Sequence, residues 1–268
     1  FTQLGMTSHR TLLCPFFLVP LLLGVTPPLT FGETIEHAGA NFFVYRVDPG
    51  TEKIELFLSE KSGEPNTFPK LDERIRAKGR RLKFATNSGI FEGTFLPSGL
   101  HIADGKTVTK LNLNEFVKTR EGEFTPNFFL KPNGVFFIRA DGSAAVVETT
   151  RYAALNEKPV LATQSGPLLV QETKIHPVLT PDSTSERYRN GVGVSTTGQI
   201  IFVCSILDRD LGMSNLYHFA ELFRDKLNCP NALYLDGDIS YVFIEGETAP
   251  IRETNWFAGI LAITEPLP

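Results

Sequence analysis

Short runs of alternating apolar and polar residues, separated by turn residues, recur through most of the chain beyond residue 40, which is the pattern of β-sheet. "NFFVYRVDPGTEKIELFLS" reads as two alternating runs around Asp48-Pro49-Gly50 and predicts a hairpin. "NFFLKPNGVFFI" carries Asn133-Gly134, the strongest short hairpin signal, and predicts another. "LATQSGPLLVQETKIH" and "GVGVSTTGQIIFVCSI" predict two more. "NALYLDGDISYVF" predicts buried strands over residues 232–235 and 239–243, with two carboxylates, Asp236 and Asp238, on either side of Gly237. Helical spacing is rarer. Residues 68–78 place Phe68, Leu71 and Ile75 on one face, and a second helix capped by Ser214 would bury Leu216, Phe219, Leu222, Phe223 and Leu227. These elements predict a single α+β domain built on mixed, mainly antiparallel sheet with a few helices.

The N-terminal segment departs from this pattern. His9 and Arg10 precede residues 12–25, a run composed mostly of Leu, Phe, Val, Pro and Gly. The run is too short and too interrupted by proline to span a bilayer, and it reads as the apolar core of a secretory signal. Residues 1–31 are therefore expected to be processed and residues 32–268 to form the folded domain. That places the protein in the periplasm or outside the cell, with no stable membrane span after processing. Of 268 residues, 42% are apolar, enough for one large core. A net charge of −4 gives no nucleic-acid footprint. The basic cluster at residues 70–83 is interleaved with Asp72 and Glu73, so a solvated helix face is favoured over an anion site. Cys204 and Cys229 would be the two cysteines of an exported domain. One disulfide is conceivable, but a small buried hydrophobe is the favoured reading of Cys204.

Four loops carry more polar chemistry than a turn needs. Asn87, Ser88 and Gly89 follow one strand, and Gln164, Ser165 and Gly166 separate two apolar segments. Arg189 and Asn190 open the glycine-bearing strand "NGVGV", and Asp236, Gly237 and Asp238 end the stretch described above. Asn, Ser and Gly belong in turns in any case. Strand ends are also where sites are assembled. His101, His176 and His218 have no ligand spacing, no cofactor is implied, and two acids are too few to argue a calcium site. "TQSGP" lacks the strand-turn-helix serine motif of acyl hydrolases.

The ordered set "NSGIF", "PSGLHIADGK", "QSGPLL", "RNGVGV" and "NALYLDGDIS" resembles the phosphodiester glycosidase domain family, in its exported bacterial branch, over about residues 38–264. That family includes a lysosomal enzyme that uncovers mannose by removing N-acetylglucosamine from a phosphodiester. The resemblance implies a hydrolase that cleaves the sugar side of a sugar-1-phosphodiester, either a small molecule or an envelope glycan. The chain departs from the family where the acid turn loses glycines and where Asn190 and Gly191 follow the arginine. The altered turn leaves a second reading, a non-catalytic binder of envelope glycans or phosphopolymers.

Such a reaction expels a phosphate ester, already a good leaving group, so it needs charge stabilisation on the phosphate and a carboxylate near the anomeric carbon. Arg189 suits the first task and Asp236 the second, as nucleophile or as base for water. Asn87, Gly89, Gln164, Ser165, Gly166, Asn190, Gly237 and Asp238 are the expected substrate-binding positions, whether through side chains or through backbone N–H groups. A role for Asp238 as a plain turn residue is equally open.

Overall fold

In a computed structural model, residues 1–2, 32–237, 239–246, 248 and 255–268 are described. The signal-like run at 12–25 and Asp238 lie outside them. In chain order the first elements are β1 (Gly32–His37), β2 (Ala40–Val47), β3 (Ile54–Leu58), α1 (Phe68–Arg76), β4 (Arg80–Asn87), β5 (His101–Ala103) and β6 (Lys106–Thr109). β7 (Gly134–Ile138), β8 (Ala144–Glu148), α2 (Thr149–Leu155), β9 (Leu161–Ser165), β10 (Leu168–Gln171) and β11 (Lys174–Ile175) follow. The chain then runs through β12 (Asn190–Val194), β13 (Ile200–Ser205), α3 (Leu216–Glu221), β14 (Asn231–Asp236), β15 (Val242–Ile244) and β16 (Gly259–Pro266).

Three sheets result, ordered β1-β2-β13-β12-β14-β10-β11, β15-β4-β16-β3 and β6-β5-β9-β7-β8. Every pairing between these strands is antiparallel. Their inner faces share one core, in which Tyr45, Phe84, Phe136, Phe202, Leu233 and Leu261 meet. Each outer face is covered by a helix: α3 packs Phe219 on the first sheet, with Phe223 from the π-helical turn Leu222–Lys226 that follows it, α1 packs Phe68 and Leu71 on the second, and α2 brings Tyr152 to the third. A strand buried on both faces needs apolar residues at nearly every position, which is why "IIFVC" of β13 reads as a continuous run, whereas β2 leaves Phe43 and Arg46 half-buried. The alternation still sorts them. Leu233 and Leu235 of β14 face the shared core, and Ala232 and Tyr234 face α3.

The β12–β13 hairpin forms as predicted, with Val194 opposite Ile200. Four other expectations are corrected. The turn at Asp48-Pro49-Gly50 joins β2 of the seven-stranded sheet to β3 of the four-stranded one, so it is a sheet crossing. Asn133-Gly134 is not a hairpin turn: residues 127–129 form a 3-10 turn, and the buried Asn133 amide donates to the Phe128 carbonyl at 2.8 Å. "LATQSGPLLVQETKIH" also crosses between sheets, at Gly166-Pro167, and its hairpin lies further on, between β10 and β11. The cap of α3 is Asn215, whose side chain accepts from the His218 N–H at 2.9 Å, one residue later than predicted. α2, unforeseen in the sequence, is capped by Glu148.

Lys83, Arg80, Arg81 and Arg76 of the basic cluster are paired with Glu52, Glu55, Glu245, Glu265 and Asp72. Cys204 and Cys229 are buried free thiols belonging to clusters on opposite faces of the seven-stranded sheet. No described helix is long and apolar enough to cross a membrane.

Candidate active site

Arg189 precedes β12, and Asp236 ends β14, the strand paired to it, with Asn190 opposite Asp236 in the ladder. Alternation puts Arg189, Tyr234 and Asp236 on the α3 side of this sheet. They line a cavity of about 380 Å³ together with Gly237, Ser185, Arg187, Asn127 and an apolar wall of Phe124, Leu216 and Ile239. The two residues assigned to catalysis therefore share one concavity.

Arg189 is 3% exposed. Its Nε donates to the Ser214 carbonyl at 2.8 Å, Nη2 to the Ser185 carbonyl at 2.5 Å and Nη1 to the Tyr234 hydroxyl at 3.3 Å. Its backbone N–H is held by the Ser205 hydroxyl at 2.9 Å. Among the described residues the guanidinium makes no ion pair. Three of its five N–H donors are engaged, which leaves one on each terminal nitrogen. The fork is thus aimed and buried while keeping two donors for an anion.

Asp236 is half-buried and accepts the Gly237 N–H at 2.6 Å. Ser240 closes the turn, donating through its backbone N–H to the Gly237 carbonyl at 2.7 Å and through its hydroxyl to the Asp236 carbonyl at 3.1 Å. A side chain at 237 would have to displace Tyr234, because its Cβ would stand 2.6 Å from the Tyr234 hydroxyl.

Of the other predicted residues, Asp238 lies outside the described residues, and Asn87, Gly89, Gln164, Ser165, Gly166 and Asn190 are not part of the cavity lining. Ser165 accepts from the Ile90 N–H at 3.2 Å and donates to the Leu235 carbonyl at 3.0 Å, joining the loop after β4 to the end of β14. Gly89 donates its N–H to Thr163 Oγ1 at 3.2 Å, and a Cβ there would lie 2.5 Å from the Gln164 carbonyl oxygen. Gly166 leaves no room for a Cβ, which would sit 2.7 Å from Asn133 Cβ. Asn190 donates to Thr86 Oγ1 at 2.7 Å and to Asn87 Oδ1 at 2.6 Å, and Asn87 Oδ1 also takes the Tyr241 N–H at 3.2 Å. The ends of β4, β9, β12 and β14 are stapled into one floor.

Gln164 clamps a different segment. Its Oε1 accepts from the Leu100 and Asn112 N–H groups at 3.0 and 2.9 Å, and Nε2 donates to the Asn112 carbonyl at 2.8 Å and to Thr149 Oγ1 at 3.3 Å. It thereby anchors the long coil from residue 111 to 126, which brings Phe124 to the cavity rim.

Tyr234, Ser214, Ser185 and Arg187 escaped the sequence reading. Tyr234 stands two residues before Asp236 and so faces the same way, a signal available in "LYLD". The two serines act through carbonyls, which no side-chain pattern marks.

His101 is fully buried, neither ring nitrogen finds a partner among the described residues, and burial pushes its pKa down to about 4, so it is neutral near pH 7. Among the described residues no group of His, Cys, Asp and Glu forms a metal-binding cluster. A larger cavity of about 560 Å³ opens near Ile138, Leu161 and Ile200, at the other ends of β7, β9 and β13. It contains none of the predicted residues.

The sequence model of the phosphodiester glycosidase family matches residues 80–256. The chain is 33% identical to the uncharacterized protein YigE of Escherichia coli (strain K12) over 207 residues, covering 77% of this chain and 75% of that protein. Its fold is similar to the catalytic domain of zebrafish N-acetylglucosamine-1-phosphodiester alpha-N-acetylglucosaminidase, auto-inhibited by its pro-peptide. The TM-score is 0.58 at 18% identity, over 87% of this chain and 81% of that one. It is also similar to a candidate exported protein of Burkholderia pseudomallei K96243, with a TM-score of 0.52 at 11% identity, over 87% and 74%. With the family model matching about two thirds of the chain and a relative above 30% identity, the protein belongs to the phosphodiester glycosidase family.

Proposed function

We propose that the protein is a hydrolase that cleaves the glycosyl bond of a sugar-1-phosphodiester of the N-acetylglucosamine or envelope-glycan type. The observation that carries this reading is that a guanidinium and a carboxylate, 47 residues apart in sequence, line one cavity across paired strands in a member of this family. In the proposed reaction the bond between the anomeric carbon and the phosphate oxygen breaks, and its electron pair leaves with the phosphate. Arg189 stabilises that charge through its two remaining donors. Asp236 either attacks the anomeric carbon, giving a glycosyl ester that water then hydrolyses, or takes a proton from a water that attacks directly; water supplies the new hydroxyl in both routes. The floor of stapled strand ends holds both groups at fixed geometry, the role we assign to Asn87, Gly89, Ser165, Gly166 and Asn190. Gly237 lets the acid turn lie against Tyr234.

The test is nuclear magnetic resonance of the protein with methyl N-acetylglucosamine-1-phosphate diester. Free N-acetylglucosamine and methyl phosphate should accumulate together. Tight binding of the diester without turnover would instead make the protein a glycan-phosphate binder. Export is part of the same proposal, supported by the apolar run at 12–25 and by the kinship in fold to a candidate exported protein. Mass spectrometry of protein from its native host should find a start near residues 26–34, and an intact start in the cytosol would refute it.

A further inference from the structure

We infer that Phe91, Phe95 and Trp256 form an aromatic platform beside the candidate site and that it binds a second pyranose ring. The ligand is then an oligosaccharide 1-phosphate, extended on the sugar side of its anomeric carbon. The inference goes beyond the glycosidase reading and rests on it for one point, that a sugar phosphate occupies the cavity of Arg189 and Asp236.

Trp256, the single tryptophan of the chain, is 59% exposed although both its neighbours are held inward. Asn255 donates its side-chain N–H to the Ile239 carbonyl at 3.0 Å, and the buried Phe257 exchanges two backbone hydrogen bonds with Asn66 at 2.8 and 2.9 Å. Phe95 meets Trp256 edge-on, with ring centroids 6.1 Å apart at 76°, and Phe91 stacks on Phe95 at 5.7 Å. Phe95 stands at φ 54°, in the left-handed region that an aromatic residue rarely adopts. A tight hairpin imposes this. Phe91 bridges Pro97, the Glu92 N–H donates to the Leu96 carbonyl and the Phe95 N–H to the Glu92 carbonyl at 2.9 Å each, and the Ser98 hydroxyl donates to the Glu92 carboxylate at 2.9 Å. Backbone held in such a region by its surroundings clusters at ligand sites, and here it fixes an aromatic surface.

Placement names the ligand. The hairpin follows Ile90, whose N–H is held by the Ser165 hydroxyl, and that hydroxyl donates to the Leu235 carbonyl, one residue before Asp236. The other arm reaches Ile239, in the cavity wall, through Asn255. Both arms are thus tied to the acid turn, whereas the Arg189 guanidinium is tied to Ser185 and Ser214. With the phosphate at Arg189 and the anomeric carbon at Asp236, the platform lies on the sugar side of the bond. A pyranose gathers C–H groups on a face of its ring, and their slight positive charge suits the negative face of an aromatic side chain. The exposed residues of the hairpin besides Leu96 are Glu92, Gly93 and Thr94, a surround that fits a hydroxyl-rich ligand with one apolar face better than a broad protein interface.

The experiment titrates the full-length protein with N-acetylglucosamine 1-phosphate and with N,N′-diacetylchitobiose 1-phosphate, which differ by one sugar. Fluorescence of the single tryptophan reads the platform directly. The disaccharide should shift its emission to the blue and, by calorimetry, bind about tenfold more tightly than the monosaccharide. Trp256→Ala should erase that preference and Trp256→Phe should keep part of it, each variant having a native circular-dichroism spectrum. Wild type without the preference, an emission that the disaccharide leaves unmoved, or a preference that survives in folded Trp256→Ala would overturn the inference. So would an emission that shifts with protein concentration alone, which would give the platform to a second copy of the chain. Hydrolysis of methyl N-acetylglucosamine-1-phosphate diester is followed in parallel. A disaccharide preference through Trp256 without turnover would refute the glycosidase reading alone, and turnover without the preference would refute the platform alone.

Discussion

Arg189 is held by two backbone carbonyls and a phenol, acceptors that fix its plane without neutralising its charge. A carboxylate partner would have satisfied the cation and weakened its pull on a ligand; carbonyls leave that pull intact. Lysine at this position keeps the charge but has three donors on a point, which cannot span Ser214, Tyr234 and Ser185 in one plane. Arg189→Lys should therefore raise KM and lower kcat for a sugar-1-phosphodiester, with kcat/KM falling about a hundredfold or more by analogy with loss of one oxyanion donor. Steady-state kinetics on protein of native circular dichroism checks this, and near-wild-type values would remove Arg189 from phosphate binding. His101 makes a separate prediction about stability. Its folded pKa lies near 4, below its ordinary 6.5, so the unfolded chain binds a proton that the native state refuses. Stability is then complete above pH 6.5 and falls as pH drops toward 4, by about 3 kcal/mol in total from this residue. His37 and His176, also lowered by burial, act in the same direction. In urea unfolding at pH 7 and pH 5, His101→Gln should lose less stability between the two than wild type does. Equal losses would mean that His101 is not held neutral.

At the scale of elements, the strands end in loops that change sheets, and side chains weld those ends together. Gln164 shows how much one residue can organise: its amide satisfies three backbone groups of residues 100 and 112. Gln164→Leu would strand them in a largely buried setting, at a cost of about 2–4 kcal/mol. It should also free the 111–126 coil, so that limited proteolysis cuts there first while urea unfolding reports the loss of stability. Unchanged stability and cleavage would show that the coil is anchored elsewhere. The same sheet crossings explain what the sequence could reveal. Alternation and helical spacing located β2, β12, β13, β14, α1 and α3, because these are local properties of the chain. Which strands pair is not local. Asp48-Pro49-Gly50 has the residues of a hairpin turn, yet β2 and β3 find partners in different sheets. Asn133 has the residue type of a turn, yet its amide is used inside the protein. The site divides in the same way. Arg189 and Asp236 were legible as charged residues at strand ends, whereas Arg187 looked like one more polar residue in "SERYR" until the Ser214 bridge placed it beside Arg189. Gln164 and Ser165 were legible as unusual, but their buried bonds to backbone are visible only in three dimensions.

For the whole molecule, three antiparallel sheets around one core, each backed by a helix, give a rigid body whose strand ends present the candidate site. Cys204 and Cys229 take no part in bracing it: they are free, on opposite faces of one sheet, with thiol pKa values raised by burial, that of Cys229 to about 12. Rigidity comes from packing and from the cross-sheet hydrogen bonds of Asn190 and Ser165. The central claim is that this body holds the Asp236 carboxylate at the anomeric carbon of a sugar phosphate. The most direct measurement is the steady-state kinetics of wild type and Asp236→Asn on a sugar-1-phosphodiester, with circular dichroism confirming that both are folded. Asparagine keeps the size and removes a charge that matters most in the oxocarbenium-like transition state. The account predicts that kcat falls about a hundredfold or more while KM changes little. Turnover close to wild type in folded Asp236→Asn would contradict it and return the acid turn to a structural role.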